Sequence, residues 1–365
     1  MLSPSIKISV VILGLSCLIS TARASEPGGF SEVNPYSRAE KILDQDVAPK
    51  HIVNYRDKMR DNVIMLGDYA KAHRQDFLIV VHASDELLEK EIWEYDLSGY
   101  NRARKIKRNA WDPTFLVKPE DFKPEQVFQA KVDRYVKTID GIVYNNYFCG
   151  NEKINKISGL PSFSIDHCRT ERDLDEAIQQ SVGSSVPMYA FTDVENAFKN
   201  ARHQMIINEN AKNVYNLQEA QNILFLTDNS AYKDKFSFIE ELRDTNFDVI
   251  VVPAFVNGEA LTKDDVRDLK FKKNGTLRKV LAVINVSEAD PREYYWQQGW
   301  KIGRPEWLKR ASFANKDNII TQYWHQEWKK IISKYFKGIV DLEFDGAFLT
   351  GLENYRYFEQ QTPLD

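Results

Sequence analysis

Acids standing just beyond apolar runs are the residues of this chain best placed to do chemistry. The clearest case is 279–296, KVLAVINVSEADPREYYW, where Val280-Leu281-Ala282-Val283-Ile284 turns polar at Asn285 and Ser287 and then presents Glu288 and Asp290. His82, Asp193, Asp228, Asn257, Trp324 and Glu353 stand beyond or at the ends of other such runs. Two carboxyl groups flanking a sugar bond are the minimum set for most glycoside hydrolysis, one protonating the leaving oxygen and the other acting as base or nucleophile. Glu288 and Glu353 follow runs with one further run between them. At about 4.8 Å per strand, long side chains leaning inward could reach the roughly 5–9.5 Å that the chemistry needs. Glu288 is therefore the expected general acid and Glu353 the expected base or nucleophile. Plainer accounts compete. Carboxylates just after a strand often cap the next helix, and Asp290 before Pro291 has the look of a turn. Trp296, Trp300, Trp324 and Trp328, taken singly, are more often packing than sugar platforms. His82 at a strand end serves a core as easily as it carries a proton. A serine or cysteine nucleophile lacks support, since no G-x-S-x-G elbow is present.

The runs that must carry these residues read as short buried strands alternating with helices. Strands are predicted at 76–82, 139–147, 186–193, 223–229, 247–255, 279–284, 318–324 and 344–351. Helices are predicted at 54–73, 171–180, from about 194, and at 236–243, 263–271 and 326–336. Continuous apolar strands alternating with helices imply a parallel sheet. A count of eight implies closure into a (β/α)8 barrel, with polar strand ends gathered on one face. An open, doubly wound sheet is the alternative. Residues 87–129, with a basic cluster at 102–108 and prolines at 113, 119 and 124, read as a long irregular insertion over one end. No glycine-rich phosphate loop follows any strand, so a nucleotide fold lacks its motif.

Composition narrows the classes of partner. The chain has 365 residues and a net charge of −4, which argues against a nucleic-acid surface. Lys7, the apolar run 8–19 and Thr21-Ala22-Arg23-Ala24 form a secretory signal with cleavage after Ala24. The expected organisation is a signal at 1–24, a leader at 25–53 and one barrel domain at 54–365. The mature chain is expected to be exported, periplasmic or extracellular, with no stable membrane anchor. Cys17 leaves with the signal, and Cys149 and Cys168 remain in a compartment where pairing is open to them. With His167 they match no zinc pattern, and no metal or cofactor is expected.

The words VLAVINVSEAD, YYW, YWHQEWKKII and EFDGAFLTGLENYRYF resemble the TIM-barrel domain of glycoside hydrolase family 114. The likeness is to its branch labelled "cysteinyl-tRNA synthetase-related", whose members are described as endo-α-1,4-polygalactosaminidases or relatives. YAKAHRQDFLIVVHASDELL and IDGIVYNNYFCG resemble segments that follow the GFDG block in that family, and here they come first. The resemblance thus implies a circularly permuted barrel covering roughly 54–358. It implies an amino-sugar polysaccharide or oligosaccharide as partner, with His82, Asp228, Asp290, Trp296, Tyr323, Trp324 and Tyr355 as expected sugar contacts. Several family positions are altered. Acids of the family fall on Thr350, Pro253 and Phe191, and its Q-N-G falls on His82-Ala83-Ser84. Threonine and proline supply no carboxylate. Two expectations follow: a hydrolase rebuilt around Glu288, Glu353 and Asp228, or an inactive barrel that binds a glycan or partner protein in the former cleft.

Overall fold

The computed structural model describes residues 53–90, 94, 124–150, 159–201 and 204–361. The expected signal, most of the expected leader and the basic cluster 102–108 lie outside the described residues, as does most of the expected insertion.

Eight strands form one parallel sheet: β1 Leu78–His82, β2 Gly141–Asn145, β3 Ser162–His167, β4 Met188–Phe191, β5 Ile223–Phe225, β6 Val249–Val252, β9 Lys279–Asn285 and β13 Gly346–Thr350. They follow one another round a ring in chain order, and the last, β13, lies between β9 and β1. Ile79 stands opposite Ala347, and Leu349 opposite Ile284. No ladder joins β4 to β5 among the described residues, so the (β/α)8 barrel is nearly closed rather than closed. Val249–Val252 is buried at every position, as a strand covered on both faces must be.

Helices α1 Tyr55–His73, α4 Glu171–Ser181, α5 Lys235–Arg243, α6 Lys263–Leu269 and α7 Gln326–Asp341 flank the strands. (Two more, α2 Asp85–Leu88 and α3 Pro124–Thr138, lie between β1 and β2.) Their starts are written locally. Thr170 with Asp173, and Thr262 with Asp265, form reciprocal capping boxes. The short α8, Tyr355–Gln360, brings the end of the described chain back onto its beginning, with Arg56 Nε 3.0 Å from Glu359 Oε1.

At the opposite, N-terminal ends of the strands, aspartates bind the backbone of the preceding strand. Asp140 Oδ2 accepts from Ile79 N at 2.9 Å, and Asp345 Oδ2 from Val280 N at 2.8 Å. Gly346 follows because a Cβ there would overlap the Leu78 carbonyl oxygen and meet Leu78 Cβ at 2.6 Å. The FDG word is thus a structural device of the barrel floor.

Two expectations change. The run 318–324 does not enter the barrel. Its Ile319–Thr321 (β12) joins β10 Glu288–Ala289 and β11 Leu308–Ala311 in a separate antiparallel sheet beyond β9, and after β6 the strands β7 Phe255–Val256 and β8 Glu259–Ala260 pair as a hairpin. The place expected for 318–324 in the ring is taken by β3, whose Ser and Asp side chains hide it from an apolar count: Ser164 and Asp166 are buried and hydrogen-bonded to each other. The helix expected from about 194 is a series of turns over 194–199, and the end of the presumed irregular insertion is the helix α3.

Candidate functional site

Glu288 is 5% exposed and sits in the small antiparallel sheet, paired with Ile320, just beyond the C-terminal end of β9. Four side chains grip its carboxylate. Ser312 Oγ donates at 2.6 Å and Asn354 Nδ2 at 3.0 Å to one oxygen. Asn285 Nδ2 donates at 3.0 Å and Asn318 Nδ2 at 3.3 Å to the other. Asn285 also turns the chain into position, its Oδ1 accepting from Ser287 N and Glu288 N. No lysine or arginine forms an ion pair with Glu288 among the described residues. A buried carboxylate normally needs a cation or several donors, and here it has only neutral donors.

Gly351 locks this clasp to the end of β13. Its φ is 76°, and a Cβ would overlap Asn285 Oδ1 and come within 2.7 Å of Ser287 Oγ. Its carbonyl accepts from Ser287 Oγ, which in turn accepts from Asn354 Nδ2. Gly351→Ala is expected to cost about 1–3 kcal/mol from backbone strain alone. The loss is to be read as a lower denaturation midpoint with an unchanged m-value; a midpoint equal to wild type would refute the claim that the clasp needs glycine.

Glu288 lines a cavity of about 370 Å³ at the C-terminal face of the barrel. Phe225, Val283 and Phe348 from the strands line it together with the polar residues His82, Asn318 and Thr350. A wider cleft of about 770 Å³ adjoins it and shares Thr227, Pro253, Asp290, Arg292, Glu293 and Asn315. Those shared residues mark the junction between the two.

At the junction Asp290 accepts from Arg292 Nε at 3.0 Å and Arg292 Nη2 at 2.7 Å. Asp290 N donates to Tyr295 Oη at 3.1 Å. Burial and the nearby Asp290 push the Glu293 carboxyl up to about 7, and Arg292 only partly offsets them. Burial also raises the Tyr295 phenol and carries the Tyr335 phenol well above its ordinary value. Both tyrosines are therefore neutral hydroxyls near neutral pH.

The expected site residues divide into three groups. Glu288, Asp290 and His82 line the deep cavity, and Asp228 and Asp290 line the outer cleft. His82 Nε2 is 2.8 Å from Asn145 Oδ1. Glu353 lies on the 3₁₀ turn Leu352–Asn354 and lines neither cavity; its neighbour Asn354 reaches Glu288 instead. Trp296, Tyr323, Trp324 and Tyr355 also line neither. Tyr323 and Tyr355 are fully buried, which denies them contact with a substrate. Tyr323 donates to the Tyr55 carbonyl at 2.7 Å, and Tyr355 bonds Ser84 and Glu86. Trp324 packs on Tyr55 and Phe358, and Trp296 on Trp300. The positions where the resembled family has acids behave differently from one another. Thr350 and Pro253 line the cavity, whereas Phe191 is buried against His167.

Sequence reasoning missed Glu293, Arg292 and the donors Ser312, Asn318 and Asn354. The spacing Glu288, Asp290, Glu293 was the available sign, since three acids in six residues after a strand exceed what one turn requires. The two cysteines are joined: Cys149 after β2 is bonded to Cys168 after β3, with Cα atoms 5.2 Å apart.

No known family profile matches this chain. Curated relatives do. A protein of Methanocaldococcus jannaschii is 28% identical over 158 residues, 41% of this chain and 45% of the relative. One of Thermotoga maritima is 25% identical over 134 residues, 37% of this chain and 41% of the relative. A third, from Deinococcus radiodurans, is 28% identical over 79 residues, 22% and 26% of the two chains. All three are described as uncharacterized proteins, and this chain spans less than half the length of each.

Proposed function

We propose that this barrel is an exported glycoside-hydrolase-like protein acting on an amino-sugar polysaccharide of the galactosamine type. The observation that carries the proposal is Glu288: a buried carboxylate on a cavity wall, held by four neutral donors and paired with no cation among the described residues. Such a group presents uncompensated negative charge to whatever fills the cavity. An oxocarbenium-like transition state supplies matching positive charge at the anomeric carbon, and a free sugar amine supplies it in the ground state. Its four hydrogen bonds fill the acceptor sites of both carboxylate oxygens, so Glu288 is arranged to stabilise a cation rather than to donate or take up a proton. We therefore assign it the stabilisation of positive charge at the anomeric carbon in place of the general-acid role.

Supporting points come from elsewhere in the chain. The site occupies the C-terminal face, where barrels of this class carry their chemistry. The Cys149–Cys168 bond suits an oxidising compartment and hence export. In the resemblance to glycoside hydrolase family 114 the motifs are rotated, and the ion pair of Arg56 on α1 with Glu359 on α8 places the first and last described helices side by side, an arrangement a permuted order can use.

A second reading rests on Thr350, Pro253 and His82, which line the cavity where the resembled family places acids or amides. It makes the protein an inactive barrel that binds a glycan. One experiment separates the two: hydrolysis of partly deacetylated galactosamine and glucosamine polymers by wild type and Glu288→Gln. The enzyme reading expects cleavage by wild type that is lost in Glu288→Gln. Binding of the polymers without cleavage by either form establishes the second reading, and neither binding nor cleavage removes both.

A further inference from the structure

We propose that Glu293 is the proton donor of this site, a role that rests on the reading of the cavity as one that cleaves glycosidic bonds. Geometry singles it out. Glu293 lines both the deep cavity and the outer cleft, so a chain running from one into the other must pass it. The loop that carries it is fixed at both ends, Glu293 N donating to the Asp290 carbonyl at 3.1 Å and Trp296 N to the Glu293 carbonyl at 2.9 Å.

Its surroundings are aromatic. The rings of Tyr294 and Tyr335 stack at 5.8 Å, and Tyr295 stands edge-on to both. The Tyr335 hydroxyl faces the Glu293 carboxyl and favours its charged form. The charged groups facing it are Asp290 and Arg292, and Arg292 also feels Asp228 and Asp317. Glu288 lines the same deep cavity. Burial by the tyrosines and repulsion from Asp290 both favour the neutral acid, which stays largely protonated up to about pH 7. Two neighbouring carboxyls thus have separate tasks: Asp290 accepts from the Arg292 guanidinium, and Glu293 keeps its proton.

The step balances without any further reagent. The Glu293 proton passes to the glycosidic oxygen as the C–O bond breaks with its electron pair on that oxygen. The sugar left behind carries positive charge at the anomeric carbon, opposite the Glu288 carboxylate. Water adds there and releases a proton, which restores Glu293.

A proton donor has a signature that a structural residue lacks: it matters only when the leaving group needs the proton. Wild type, Glu293→Gln and Tyr335→Phe are compared on the polymer and on an aryl amino-sugar glycoside with an acidic phenol. Glu293→Gln should lose about 10²–10⁴-fold on the polymer and less than about tenfold on the aryl glycoside. The fall in wild-type kcat/KM as pH rises through about 7 should vanish in Glu293→Gln. In Tyr335→Phe it should move to higher pH, because that hydroxyl favours the carboxylate. Equal losses on both substrates, or an unchanged alkaline fall in Glu293→Gln, overturn the assignment while leaving the hydrolase reading intact. A wild type that cleaves neither substrate overturns both.

Discussion

Asp248→Asn is expected to lower stability by about 3–5 kcal/mol, because it strands a buried cation at the floor of the barrel. Asp248 and Lys272 have fully buried side chains, and Lys272 Nζ lies 2.5 Å from Asp248 Oδ1. The other carboxylate oxygen accepts from Asn210 Nδ2 at 2.9 Å and Gln221 N at 2.7 Å. Nearby, Arg278 is 2% exposed and among the described residues donates only to neutral acceptors: Thr245 Oγ1 and the Leu242 and Phe271 carbonyls. Burial pulls its guanidinium well below the usual arginine range, and Asp248 opposes that. Asparagine keeps the shape and removes the charge that serves both cations. Adding Lys272→Met should recover much of the loss, since replacing a buried pair by apolar side chains is often neutral. Urea midpoints of the three variants test this. A single mutant within about 1 kcal/mol of wild type, at the level of an exposed pair, would show that the pair is not what holds the floor.

The floor also shows which parts of the fold the residues announce. Asp140-Gly141 and Asp345-Gly346 each combine an acid that binds the neighbouring strand's N–H with a glycine or small strand start. A run of apolar residues reads as a strand with or without such a word before it, and β1, β2, β6, β9 and β13 are all legible as such runs. The ring's third strand is not. SFSIDH buries Ser164 and Asp166; Asp166 Oδ1 accepts from Phe148 N and Cys149 N, and Ser164 Oγ accepts from Tyr147 N, so its polarity looks like loop. Conversely, NIITQYW alternates and is apolar enough for a strand, which it becomes, but its partners are β10 and β11. Periodicity reports that a segment is extended and buried; it carries no information about which sheet receives it. The expected total of eight strands therefore stood on one omission and one inclusion that offset each other.

The site was legible to the same degree. Glu288 stood out because it closely follows the uninterrupted apolar run 280–284, and it does line the cavity. Its supporting donors come from positions 24, 30 and 66 residues away, Ser312, Asn318 and Asn354, and only folding unites them. Glu353 has the same local look as Glu288, a carboxylate after a strand. The left-handed turn at Gly351 directs Asn354 to the site in its place. Glu293 was passed over because the charged loop after Asp290-Pro291 resembles a solvated turn. What distinguishes it is three tyrosines around it, one of them, Tyr335, from a helix forty-two residues later.

Trp328 ties the stability of the barrel to the geometry of that site, and its removal is the second large effect expected. It is fully buried on α7, and its Nε1 donates to the Val286 carbonyl at 2.9 Å. Val286 is the pivot between β9 and Glu288, its own N–H donating to Thr350 at the end of β13. The indole meets Tyr295 edge-on at 5.7 Å and Trp307 at 5.5 Å. Tyr295 in turn accepts from Asp290 N. Trp328→Ala is expected to cost about 3–5 kcal/mol by opening a cavity in this cluster. Trp328→Phe keeps most of the ring but leaves the Val286 carbonyl unpaired, a loss of about 1–3 kcal/mol. The two variants separate packing from positioning. If Trp328 acts through Val286, both should weaken binding of a galactosamine oligomer, with Trp328→Phe showing a larger loss of affinity than its stability change alone would suggest. Unchanged affinity in Trp328→Phe, measured well below its melting temperature, would mean that the clasp of Asn285, Ser312, Asn318 and Asn354 holds Glu288 without help from the helix behind it.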